Sequence, residues 1–203
     1  MAGVKDRTQP VLTFTTVDDL EAYLSSEPAD SGGFWLRVAK IGAPETTIGK
    51  AEAIEAALCS GWIDGQLGKL DDHHFLIRMT PRRPGSRWSA NNRATAERLA
   101  LHGRLRPAGL AQIEAAKNDG RWAAAYASQG KAEIPQDLEA ALAVDEAAKR
   151  FFETLDRANR FAVIYRVNDA KRPETRARRI AQYVGMLARG ETIHPSSKAT
   201  KAG

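Results

Sequence analysis

Apolar and polar residues alternate with period two in three stretches of this chain, and all three lie before residue 82. Residues 34–40 (FWLRVAK) place Phe34, Leu36 and Val38 on one side and Trp35 and Arg37 on the other, as a strand does. Residues 62–70 and 75–80 repeat the pattern, joined by Asp71-Asp72-His73-His74, which reads as a hairpin. Beyond that point the apolar spacing is helical. The sequence predicts an α+β fold: an N-terminal half with a small antiparallel sheet and helices, and a C-terminal half that is all-helical.

Helix signals fill in the rest. Residues 16–26 carry Thr16 as cap, with Asp19 three residues on and Val17, Leu20, Tyr23 and Leu24 on one face. Residues 50–59 form a second helix, stopped by Gly61. Ser89 caps a helix over about 90–102, and Pro107 opens another that Gly120 ends. Trp122 and Tyr126, spaced i, i+4, suggest a short successor. Pro135, Asp145, Asp156 and Pro173 each mark a later helix start. Residues 1–12 read as a loose lead-in ending in a short apolar stretch. These signals predict an α+β domain over 1–130, a helical domain over 131–190 with its boundary best placed at Gly130, and a disordered tail over 191–203.

At 203 residues the chain can bury a core. Its single cysteine, Cys59, allows no internal disulfide and reads as a buried small hydrophobe. The first residues show no apolar signal segment, and no window approaches a membrane span, so a cytoplasmic location is expected. The net charge of +5 is unevenly spread. Residues 1–77 carry net −6, residues 78–106 net +7, residues 107–169 net −2 and residues 170–203 net +6. Arginine outnumbers lysine twenty to ten, and its planar fork of donors suits carboxylate and phosphate.

Three stretches can carry chemistry. In TPRRPGSRWS, two prolines stiffen a loop holding Arg82, Arg83, Arg87 and Trp88, followed by a capped helix start with Asn92 in its first turn. This could hold a phosphate, a carboxylate or a stacked base. Alternatively the arginines pair with the acidic first third and Trp88 fills core. Asp64, two residues after Trp62, shares its face. It is a general base or, more simply, the partner of an arginine from that loop. In residues 170–180, Arg172, Arg176 and Arg179 share a helical face. Cations at a helix start oppose the helix dipole, so these need an anionic partner, internal or external. His73-His74 beside two aspartates reads as an exposed hairpin tip. No metal site and no cofactor motif is predicted.

The motifs together resemble the YdeI/OmpD-associated (OmdA) family. The carrying residues are Phe34-Trp35-Leu36-Arg37, the run from Ala57 through Trp62-Ile63-Asp64-Gly65, Pro81-Arg82-Arg83-Pro84 with Ser86, Trp88, Ser89 and Asn92, and Asp119-Gly120-Arg121-Trp122 with Ala125-Tyr126. Pro135, Asp137-Leu138, Ala141-Leu142, Phe152 and Ala170-Lys171-Arg172-Pro173-Glu174-Thr175-Arg176-Ala177-Arg178-Arg179-Ile180 follow. The resemblance spans about residues 33–189. It implies an association with protection against bacteriocins and cationic antimicrobial peptides and with an outer-membrane porin. It brings no catalytic residues.

Three functional readings follow. The first is a non-enzymatic binding or stress-protection protein with an anion-binding groove lined by Trp62, Asp64, Arg82, Arg83, Arg87, Trp88 and Asn92, and a phosphate-bearing or carboxylate ligand. The second is nucleic-acid binding through both arginine-rich blocks. The third is an enzyme of unfamiliar type with Asp64 as base. A protein partner stays open under each.

Overall fold

The computed structural model describes residues 8–127 and 132–195. Gly130, the expected boundary, lies outside the described residues. The chain divides into two compact units, residues 1–125 and 126–203.

The first unit is built on a four-stranded sheet ordered β1-β2-β4-β3. Strand β1 (Val11–Leu12) precedes helix α1 (Val17–Ser26), then come β2 (Phe34–Ala39) and α2 (Lys50–Cys59). The hairpin β3 (Trp62–Lys69) and β4 (His74–Pro81) follows, and helices α3 (Ala90–Leu101) and α4 (Pro107–Asn118) complete the unit. The β2, β3 and β4 pairings are antiparallel, as expected. The lead-in supplies a short edge strand instead of a loose segment: β1 pairs parallel to β2, so the sheet is mixed.

Period-two patterning decides which face the helices cover. Phe34, Leu36, Val38, Ile77, Met79 and Trp62 are buried in one cluster with Leu20 and Leu24 of α1 and Ala53, Ala56 and Ala57 of α2. Thr16 caps α1 by accepting from the Asp19 amide at 3.2 Å. A second cluster joins Leu58 and Cys59 to Trp88, Ala96, Leu99, Ile113 and Ala116, with Trp122 packed against it. The residues after Gly120 form turns, not the short helix expected there: Trp122 packs edge-on to Trp88 at 4.7 Å, and its amide donates to the Ala116 carbonyl at 2.9 Å.

The second unit holds α5 (Gln136–Val144), α6 (Glu146–Thr154), α7 (Arg157–Asp169) and α8 (Pro173–Ala188) around Leu138, Phe152, Val163, Val167, Tyr183 and Leu187. Asp145 and Asp156 cap α6 and α7 through their side chains. The expected disordered tail begins with a held segment: buried Asn159 accepts from the His194 amide at 2.8 Å and donates to its carbonyl at 3.2 Å.

Candidate functional site

The α2–β3 corner organises the first unit. Gly61 ends α2 with φ +76°, which favours glycine, and a Cβ there would stand 3.0 Å from the Ala108 carbonyl oxygen. The Gly61 carbonyl accepts from the Arg82 amide at 3.0 Å, and the Cys59 carbonyl accepts from the Arg106 amide at 3.1 Å. Gly109 lets α4 lie directly on the end of α2. Two distant segments are thereby pinned to residues 59–61, and a cavity of about 550 Å³ opens beside them.

Its apolar wall includes Leu24, Trp62, Pro81 and Pro107. Its polar wall holds Ser60, Arg82, Arg106, Glu27 and Gln112. Arg82 is 5% exposed, and its guanidinium carbon lies 3.7 Å from the centre of the Trp88 ring. A guanidinium stays protonated, so a nearly buried positive charge lies behind this wall, against Trp88. Arg106 reaches Glu21 at 2.7 Å and Ser25 Oγ at 2.6 Å. Arg104 bridges Glu21 and Glu55 at 3.3 Å each, and Arg98 meets Glu55 at 2.5 Å.

One further feature suits an anion. Arg106 is the N-cap of α4, and its side chain makes no capping hydrogen bond, so the first-turn amides of a twelve-residue helix have no side-chain cap. Ser60, also on the wall, is 7% exposed, and its hydroxyl has no hydrogen-bond partner among the described residues. That oxygen is closed off from the cavity, so a ligand there does not reach it. Cys59 is buried beside this corner, and burial pushes its thiol upward, so it is a neutral core residue.

The structure brings together Trp62 and Arg82 of the residues singled out in the sequence. It keeps the others off the cavity wall. Asp64 opposes Met79 in the β3–β4 register, and among the described residues it has no ion pair with Arg82, Arg83 or Arg87. The expected Asp64–arginine pair does not form. Paired with Met79, Asp64 lies three residues back from Arg82 along β4, and Arg82 turns instead to Trp88 and the Arg87 carbonyl. The acid on the cavity wall is Glu27. Trp88 is 2% exposed and covered by Arg82, so the face expected to stack a base is occupied from within. Arg83 is exposed on the loop, the Arg87 carbonyl accepts from Arg82 at 3.3 Å, and the Asn92 amide donates to Ser89.

In the second unit, Arg176 grips Asp137 with two bonds of 2.5 and 2.8 Å and donates to the Val167 carbonyl at 3.0 Å. Arg179 reaches the Arg166 carbonyl at 2.5 Å and Asp169 at 3.1 Å. The anionic partners these two required are internal. Arg172 is exposed at the N-cap of α8.

His74 is buried, 4% exposed, not part of an exposed tip. Its Nδ1 lies 3.0 Å from Asp71 and its Nε2 2.9 Å from Arg37, which also meets Glu45 at 2.6 Å. This clip ties the hairpin to β2. Burial raises the Asp71 carboxyl, but hydrogen bonds from His73 and His74 outweigh it and hold the group below the usual aspartate range.

No helix among the described residues is long and apolar enough to cross a membrane. Comparison with curated proteins and with solved structures found no match. Two family models do match. Residues 12–112, which hold the WIDG and PRRP motifs and the cavity, match a domain of unknown function. Residues 131–190 match the family described as Bacteriocin-protection, YdeI or OmpD-Associated. The resemblance drawn over residues 33–189 therefore separates into two matches, and it is through residues 131–190 that this chain carries the OmdA family's segment.

Proposed function

We propose that this chain is a binding protein whose N-terminal unit holds a small carboxylate- or phosphate-bearing molecule in the cavity at the α2–β3 corner. The observation that carries the reading is the placing of Arg106, Gln112 and the uncapped start of α4 on one cavity with an apolar wall. Preformed donors around a concave, mostly apolar space are what small-molecule sites share, and about 550 Å³ falls in their range. The protection named in the family's description would then follow from ligand capture.

The test uses tryptophan fluorescence, to which Trp62 on the cavity wall contributes, with phenylacetate, inorganic phosphate and nucleotides as probes. Saturable quenching by a small anion, weakened about tenfold in Arg106→Met, supports the reading. No response to any small anion sinks it.

A second reading, nucleic-acid binding, draws on Lys171, Arg172 and Arg178, which are exposed around the start of α8. It predicts affinity for DNA or RNA that falls linearly in log K against log salt, and is lost when these three residues become glutamine.

A further inference from the structure

The second unit carries three aromatic side chains that its core does not use. Helix α7 gives Val163, Ile164 and Val167 to the cluster around Leu138 and Phe152. Phe161 and Tyr165, spaced i, i+4 on the same helix, stand outside that cluster and are half-buried. Tyr126 joins them, its ring centre 6.3 Å from that of Phe161 and 5.1 Å from that of Tyr165, and the Phe161 and Tyr165 centres are 5.6 Å apart. The ring planes are inclined by 41°, 74° and 34°, so the rings do not stack flat and hide one another's faces. A cavity of about 380 Å³ lies against all three, with Ile164, Glu133 and Asn168 also on its wall.

The wall is suited to positive charge. Aromatic faces carry negative potential, and centres this close allow one cation to lie within about 6 Å of all three, the reach of the cation–π interaction. Among the described residues that line the cavity, Glu133 is the only one charged at neutral pH. It is exposed and has no ion pair among the described residues.

The polar groups narrow the choice of cation. Asn168 Oδ1 is already engaged by Arg176, at 3.4 and 3.5 Å from its two terminal nitrogens. A guanidinium would bring five N–H donors and a primary ammonium three, against Glu133 and the tyrosine hydroxyls alone. A quaternary ammonium brings none, and its methyl groups pack on Ile164 and the rings.

We propose that this cavity is a second binding site, for a small quaternary ammonium compound, with the charge held by the Tyr126, Phe161 and Tyr165 rings and balanced by Glu133. It is independent of the cavity in the first unit.

The experiment is an NMR titration of the full chain, read at the ring protons of Tyr126, Phe161 and Tyr165. The probes are choline and 3,3-dimethylbutan-1-ol, its uncharged carbon analogue. Choline should shift these resonances saturably and bind about tenfold or more tightly than the alcohol. Phe161→Leu keeps apolar bulk without a π face, and should weaken choline about fivefold while leaving the alcohol unchanged. Glu133→Gln should weaken choline alone, by about threefold. Equal affinity for the alcohol would overturn the proposal, leaving a plain apolar hollow. Choline shifts that miss these rings, or no saturable shift, would overturn it as well. The comparison of the two probes on the unmodified chain decides the matter even if Phe161→Leu does not fold.

Discussion

Gly109→Ala should destabilise the N-terminal unit, although alanine is the better helix former. Taken alone, the exchange inside α4 would stabilise by up to about 1 kcal/mol. The packing opposes it. A Cβ at residue 109 would stand 2.5 Å from the Cys59 carbonyl oxygen and 2.6 Å from that of Leu58. Both are backbone atoms and cannot rotate away. Reaching the 3.4 Å of an ordinary contact requires α4 to retreat by about 0.9 Å. That strains the Arg106 amide to Cys59 carbonyl bond, now 3.1 Å. Overpacking costs about 1–3 kcal/mol and a weakened hydrogen bond about 1 more, so the net loss is about 1–3 kcal/mol.

Urea unfolding followed by tryptophan fluorescence reads this directly, because Trp35, Trp62, Trp88 and Trp122 are the chain's four tryptophans and all lie in the first unit. The midpoint should fall with the slope unchanged. Gly185→Ala in α8 is the contrast: the nearest atom to its Cβ is an arginine nitrogen at 3.6 Å, so that change should stabilise by about 0.5–1 kcal/mol in far-UV circular dichroism. A Gly109→Ala chain as stable as the parent would refute the close-approach argument.

Two further outcomes follow from the charge network. Asp71 is held below its ordinary value, so its contribution is present above the unfolded pKa of about 3.9 and disappears as pH falls through the lower folded value. The stability gap between the parent chain and Asp71→Asn should therefore be full at pH 6 and close below pH 4 in acid titrations of unfolding; a gap that does not change with pH contradicts this. Arg176→Met should cost about 1–2 kcal/mol, since it removes a half-exposed bidentate pair with Asp137 and a bond to the Val167 carbonyl. Circular dichroism of thermal unfolding checks it, and an unchanged Tm would count against a structural role for this arginine.

Local signals were legible in the sequence, and long-range side-chain partnerships were not. The alternation in residues 34–40 and the Lys50 and Cys59 limits of α2 match the structure because the cluster holding Phe34, Leu36 and Val38 writes a period into the chain, although Trp35 on the opposite face is buried as well. So do the Thr16, Ser89, Asp145 and Asp156 caps, whose bonds close within three residues. Strand β1 escaped notice because two residues carry no period, and its pairing is with residues more than twenty positions later. At the cavity, Trp62 and Arg82 stood out by type. Glu27, Ser60 and Arg106 did not, because their importance comes from contacts such as Arg106 with Glu21, across 85 residues. One clue was present: Arg106-Pro107 opens a helix with no capping side chain, leaving amides in need of a partner. Trp88 misled in the other direction, since nothing in a loop sequence tells that its own Arg82 covers the ring.

The central claim is that the α2–β3 corner is a small-molecule site. The most direct measurement is amide chemical-shift mapping of the labelled chain during titration with phenylacetate. The account predicts saturable shifts concentrated at Ser60, Gly61, Ala108 and Gly109, with α8 unaffected. Shifts confined to Arg172 and its neighbours, or none at saturating probe, would contradict it.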